Sequence, residues 1–259
     1  MGGSQIRLGN AMITLVEPHR DGLVEYNRWY EHDHAYAAMM SAPGCFAYRR
    51  FVATRPLKDL RIPAESPMAQ PLDTGSFVAF YWIEEGLFDK TFEYSFGVTP
   101  GLAERGRMNP DRDHVSTATY EYLGSAAREP EPVPVEMALD HPYPGVVCAW
   151  LRPADGVTVA ELGEWCRATL DPPLLADGSP VGLVADFAQC DFPGGIPPLT
   201  GKLDELVRCW FLDTDPRDCW DRFAGLAEAV ADGGKGSLAL AAPFIATVPG
   251  TTRYLDELW

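Results

Sequence analysis

Apolar positions along this chain alternate between two spacings, the two-residue repeat of strands and the three-to-four-residue repeat of helices. Residues 11–16 (Ala-Met-Ile-Thr-Leu-Val) form a short β-branched run, and residues 23–40 carry a helical repeat that Pro43-Gly44 ends. Residues 45–53 read as a strand, a proline-rich loop of about 20 residues follows, and 76–83 (Ser-Phe-Val-Ala-Phe-Tyr-Trp-Ile) is the strongest strand of this half. A loop of that length points to a lid or an insertion. Residues 88–105 predict a helix interrupted by glycine and proline, and 115–123 a closing strand.

The same order returns after residue 144. Residues 146–151 predict a strand, and Thr158-Val159-Ala160-Glu161 is a capping box that opens a helix to about Leu170. Residues 181–187 and 206–212 predict strands, Asp215-Pro216 an N-cap and first-turn proline for a helix running to Gly233-Gly234, and 237–248 the last strand. Between the halves, residues 128–144 carry five prolines and read as a stiff linker. The expected division is therefore 1–127, a linker at 128–144, and 145–259. An offset of 136 residues places Glu25 on Glu161, Trp29 on Trp165 and Phe51 on Phe187. It also places His34 on Leu170, so the polar candidates belong to the first half and the second half reads as its structural partner. The fold class is α+β, two βαββαβ halves with antiparallel sheets.

Composition narrows the function. At 259 residues, 46% hydrophobic, the chain has material for a substantial core, and its net charge of −16 disfavours nucleic acid and anionic membrane surfaces as partners. No apolar run reaches the roughly 20 residues of a membrane span, and the N-terminus lacks the build of a secretory signal, so a cytoplasmic protein is expected. Six cysteines without a C-x-x-C pair read as small buried hydrophobes rather than a zinc site or a disulfide framework.

On a helical wheel, Leu23, Tyr26, Trp29, Tyr30, Ala37 and Met40 share one face, with His34 at its edge and His32 nearly opposite. His34 is thus placed to reach an interior as a general acid/base of near-neutral pKa; the competing reading is a core-edge histidine bonded to backbone. Asp33 falls within the apolar stripe, which requires an arginine partner or a deformed helix. Two histidines two residues apart diverge too far to share one ion, so no metal site is expected at His32-Asp33-His34. Gly233-Gly234-Lys235-Gly236 follows a helix and lacks the phosphate-loop frame, and no G-x-S-x-G elbow occurs. Arg49 and Arg50 are strand neighbours and so face opposite ways; one could project into the barrel and meet a carboxylate or enolate, the other would lie on the helix-covered side or at the rim, and a structural salt bridge is the alternative to a ligand contact. Phe77, Tyr81 and Trp82 could line an aromatic pocket or be ordinary core, with Glu84 a weaker acid/base at the strand end.

Residues 29–51, with Trp29-Tyr30-Glu31-His32-Asp33-His34, then Pro43-Gly44-Cys45-Phe46 and the arginine pair Arg49-Arg50, resemble a motif of the dimeric α+β-barrel superfamily. EthD-like proteins, antibiotic-biosynthesis monooxygenases and small polyketide cyclases have this pattern. The resemblance implies two ferredoxin-like units whose sheets face each other around a barrel, here supplied by one chain, which lessens the need for a homodimer without forbidding one. It implies a cofactor-independent cyclase, isomerase or monooxygenase acting on a small apolar or aromatic molecule in a barrel cavity. The expected catalytic set is His34, Tyr30 and Arg50, with Trp29, Tyr48, Arg49, Phe77, Tyr81 and Glu84 binding the ligand. A non-catalytic binding or structural role, and a haem protein with His34 as axial ligand, are the alternatives.

Overall fold

The runs rich in β-branched and aromatic residues pair across the two halves as well as within them. The computed structural model describes residues 5–201 and 203–259, so residues 1–4, at the head of the expected first unit, lie outside it. The first half comprises β1 (Leu8–Pro18), α1 (Leu23–Trp29) continued by a π-helix (Tyr30–Met40), β2 (Cys45–Val52), the single turn α2 (Arg55–Lys58), β3 (Phe77–Glu84), α3 (Phe88–Glu104) and β4 (Arg112–Ala127). The second comprises β5 (Gly145–Pro153), α4 (Val159–Thr169), the single turn α5 (Asp171–Leu174), β6 (Val181–Cys190), β7 (Leu206–Leu212), α6 (Leu226–Asp232) and β8 (Gly236–Ala246).

All eight strands close into one antiparallel barrel in the order β1-β3-β2-β8-β5-β7-β6-β4. Each half supplies the ferredoxin-like order 4-1-3-2, and its helices cover the outside of its own sheet. The two seams differ. The β4–β6 ladder runs from Thr119↔Cys190 to Ala127↔Leu183, whereas β2 meets β8 only at Phe51↔Ala246 and Val52↔Ile245. The remaining edge of β8 is covered by the loop after α2: Ile62 and Ala241 exchange backbone hydrogen bonds of 3.2 and 2.7 Å, and the Ser66 hydroxyl donates to the Ala239 carbonyl at 2.6 Å. Covering a strand edge is how sheets avoid stray pairing. That loop is a seam filler, not a lid.

Alternation along the strands turns Phe51, Phe80, Trp82, Phe187 and Phe211 inward. Phe80 meets Phe51 and Phe211 at ring-centroid distances of 5.8 and 6.4 Å, and Trp82 meets Phe187 at 5.2 Å. These rings occupy the barrel interior, which corrects the expectation of a ligand cavity there. Segment 128–144 crosses one end: the Trp82 indole donates to the Val135 carbonyl at 3.1 Å, and the Arg49 guanidinium donates to the carbonyls of Leu139, His141 and Tyr143.

The Thr158–Glu161 capping box forms as expected. The Asp215-Pro216 helix does not. Asp215 caps only a 3₁₀ turn, Pro216–Asp218, a second 3₁₀ turn follows at Trp220–Arg222, and α6 begins at Leu226. Trp220 and Phe223 are buried against the second sheet, and anchoring both overrides a regular helix there. At the turn into β2, Gly44 has φ +90°, and a Cβ there would lie 2.5 Å from the Leu87 Cβ. Gly44→Ala is expected to cost about 1–3 kcal/mol in urea unfolding; a neutral result would contradict this turn geometry.

Candidate functional site

A cavity of about 280 Å³ lies outside the barrel, between the first half's helices and the outer face of its sheet. Sheet, two helices and a loop enclose it. The floor is sheet: Met12, Thr14 and Val16 alternate along β1, with Tyr81 beside them on β3. One wall is the π-helix, through Tyr30, His34, Ala38 and Met39. The opposite wall is α3, where Phe92, Ser95, Phe96 and Thr99 recur at helical spacing. The roof comes from the second half: Phe192, Ile196, Pro197 and Leu199, in the loop after β6, with Phe192 in ring contact with Phe92 at 5.0 Å and Phe96 at 5.5 Å.

Two local irregularities shape the polar part. The first helix leaves α geometry at Tyr30 and runs to Met40 with π hydrogen bonding, a form concentrated at functional sites. Asp33, expected to need a partner or a deformed helix, has both: its carboxylate is bound by Arg107, with Nε at 3.0 Å. The second irregularity is a bulge in β4, where Leu15 pairs with Ser116 but Val16 with His114. The additional residue puts His114 and Thr117 on one face, which regular alternation would forbid. His114 Nδ1 and the Thr117 hydroxyl are 2.6 Å apart.

His34 lies at the centre of this constellation. Its ring stacks on Trp29 at 4.2 Å and meets the edge of Tyr30 at 5.5 Å. Its Nδ1 is buried without a hydrogen-bond partner. Burial, then the nearby Arg112 cation and His114, outweigh Asp33 and bring its pKa down to about 4. That corrects the near-neutral expectation: the imidazole is neutral at physiological pH. Burial and Arg112 also lower the pKa of His114. The Tyr81 hydroxyl donates to the Tyr30 hydroxyl at 2.9 Å, leaving the Tyr30 proton to point elsewhere. Burial holds the Tyr81 phenol well above its ordinary pKa.

Of the residues singled out from sequence, Tyr30, His34 and Tyr81 come together on the cavity wall. Trp29 stands behind His34, and Tyr48 stacks behind Tyr81 at 4.9 Å. Four others lie elsewhere. Arg50 is buried under α1, bonded to Asn27 at 2.8 Å and Glu31 at 3.5 Å, with the Phe77 ring 3.7 Å from its guanidinium carbon. Arg50 and Phe77 thus form a structural plug beneath the helix. Arg49 points into the barrel end, and Glu84 lies at the far end of β3, its backbone N–H on the Gly44 carbonyl. Arg112, His114, Thr117 and the roof loop were not singled out. Three of them depend on a bulge and the fourth on contact between halves.

The second half's equivalent region is filled. Cys166 and Leu170 stand where the 136-residue offset puts Tyr30 and His34, and both join Trp210, Leu162 and Phe223 in one buried apolar cluster.

No family model and no curated protein matches this chain. Among solved structures, an anthrone oxidase-like protein superposes with a TM-score of 0.56 at 8% identity, covering 93% of this chain and 92% of its own. A candidate chlorite dismutase superposes with a TM-score of 0.52 at 8% identity, covering 98% of this chain and 100% of its own. Both likenesses are of fold.

Proposed function

We propose that this protein is a cofactor-independent enzyme of the dimeric α+β-barrel superfamily that moves a proton on a small, flat, largely apolar molecule held in the cavity beside the π-helix. The observation that carries this reading is His34: a neutral imidazole on the wall of a ligand-sized cavity, with Nδ1 buried and unbonded. A buried nitrogen left unmet carries a desolvation cost of about 1–3 kcal/mol, and at His34, on a cavity wall, a ligand could offset it. Such a ring is free to accept a proton from a ligand.

The chemistry follows from the neighbours. His34 would take a proton from an activated C–H or O–H. The Tyr30 hydroxyl, itself accepting from Tyr81, would donate to the oxygen on which negative charge develops. Stacking on Trp29 holds the imidazole plane fixed while it gains charge, and a ring face stabilises the resulting cation. Return of the proton to another atom of the ligand completes a redox-neutral isomerisation or cyclisation. Apolar walls from Met12, Met39, Phe92 and Phe192 keep water out. A volume of about 280 Å³ sits at the low end of small-molecule pockets, roughly 300–1,000 Å³, and favours a ligand of one to three rings over a porphyrin.

Isothermal titration of hydroxylated one- to three-ring aromatics, with product analysis by mass spectrometry, tests the reading. At least one class should bind, and Ala38→Leu, which adds bulk at a buried wall position, should weaken that binding tenfold or more. Absence of binding by every ring size, or an undiminished affinity in Ala38→Leu, would remove this cavity as the site.

A further inference from the structure

We infer that the molecule bound in this cavity carries one standing oxygen anion, a carboxylate or an acidic phenolate, and that Arg112 is its counter-ion. The inference rests on the functional reading above and names the ligand class of that same cavity. Its first support is charge. The chain carries 37 aspartates and glutamates, yet among the described residues lining the cavity none is acidic. Arg112 is the one lysine or arginine among them, and both lining histidines, His34 and His114, are held toward the neutral form. The cavity therefore carries a single net positive charge inside a strongly acidic molecule.

Arg112 also has no resident anion among the described residues. Among the described residues its guanidinium makes no ion pair; one Nη donates to the Asn109 carbonyl and its central carbon stands 4.8 Å from the Trp29 ring. The flanking acids do not fill the role. Asp113 follows Arg112 on β4, is largely exposed and pairs with His19 at 3.2 Å. Asp111 is not among the lining residues. A half-buried guanidinium with free donors matches an oxygen anion in shape, and the planar fork favours a carboxylate. The bulge that brings His114 and Thr117 to the same wall adds a hydroxyl to that polar corner, while Phe92 and Met39 contribute apolar wall to the same cavity. A ring against the apolar wall and an anion in the corner is the arrangement these walls accommodate.

The inference separates from the functional reading in one titration at pH 7.5 with two probes of equal ring size, 2-naphthoate and 2-naphthalenemethanol. The unmodified protein should bind the carboxylate at least tenfold more tightly than the alcohol. Arg112→Gln should erase that preference by weakening the carboxylate alone, and Ala38→Leu should weaken both. Equal affinities in the unmodified protein would overturn the anion assignment and leave the cavity reading standing; this comparison needs no variant to fold. A preference that persists in Arg112→Gln would also overturn it. Binding of neither probe would overturn the anion assignment, and the cavity reading falls with it only if no ring size binds.

Discussion

Arg208→Met is expected to destabilise the protein by about 3–5 kcal/mol in urea unfolding. Arg208 on β7 is fully buried under α4, where its Nε donates to Asp186 at 2.7 Å and an Nη to Asp171 at 2.9 Å. Arg167 of α4 holds the other oxygen of Asp186 at 2.6 Å. Burial alone would lower the Arg208 pKa, but the two carboxylates overcome it and raise the value above the ordinary arginine range. Methionine fills most of the space but leaves Asp171 without a cation at 4% exposure and Asp186 with only the half-exposed Arg167. An uncompensated buried carboxylate is the costly outcome, since a buried pair contributes little net stability while breaking one costs several kcal/mol. Adding Asp171→Asn to Arg208→Met should recover part of the loss. A loss below about 1 kcal/mol would show that the cluster is wet or loosely held. Because this cluster and the cavity are covered by different helix layers, ligand binding in Arg208→Met should be unchanged wherever the variant is folded.

Sequence pattern reports some features of the two halves and misses others. Leu206–Leu212 is legible to the residue because every position is buried and all but Arg208 are apolar. The capping box at Thr158–Glu161 is legible because it is local chemistry, two reciprocal bonds within four residues. The offset of 136 residues is also real in space: β2 begins at Cys45 and β6 at Val181, and Phe51 and Phe187 both face the barrel interior. What stays hidden is anything set by pairing between distant strands. Period-two alternation shows that Arg49 and Arg50 face opposite ways, but which one meets the helix depends on the register against β3. The β4 bulge is invisible to a regular repeat, and with the strand expected only from residue 115, Arg112 and His114 both read as loop before it. The roof of the cavity belongs to the half read as a passive partner, and no local signal could attach it. Tyr30 and His34 were legible because four residues separate neighbours on a helix in either geometry, so the π-helix did not disturb that pair.

His34→Gln is expected to lower turnover of a cavity substrate about 10²–10⁴-fold while changing its dissociation constant less than tenfold, because glutamine keeps a polar group but accepts no proton at neutral pH. The pH profile of the unmodified enzyme gives a sharper form of the same prediction. A base of ordinary histidine pKa would lose activity below about 6.5, whereas a base buried to a pKa of about 4 should hold kcat/KM level down to about pH 5 and fall with an acid limb near 4. Folding should report the same shift with a defined sign. The unfolded chain takes up a proton at this ring near pH 6.5 and the folded chain only near 4, so the unfolded state binds more protons between those values. Stability is therefore complete above about 6.5 and declines as pH falls toward 4, by up to about 3 kcal/mol from this residue. His34→Gln should remove that part of the acid sensitivity, measured as a smaller change in unfolding free energy between pH 7 and pH 5 than in the unmodified protein. An acid limb near 6.5, with identical acid sensitivity in the two proteins, would mean that His34 titrates as a solvated histidine. A ring so hydrated would already satisfy its nitrogens with water, and the reason to assign it the proton transfer would be gone.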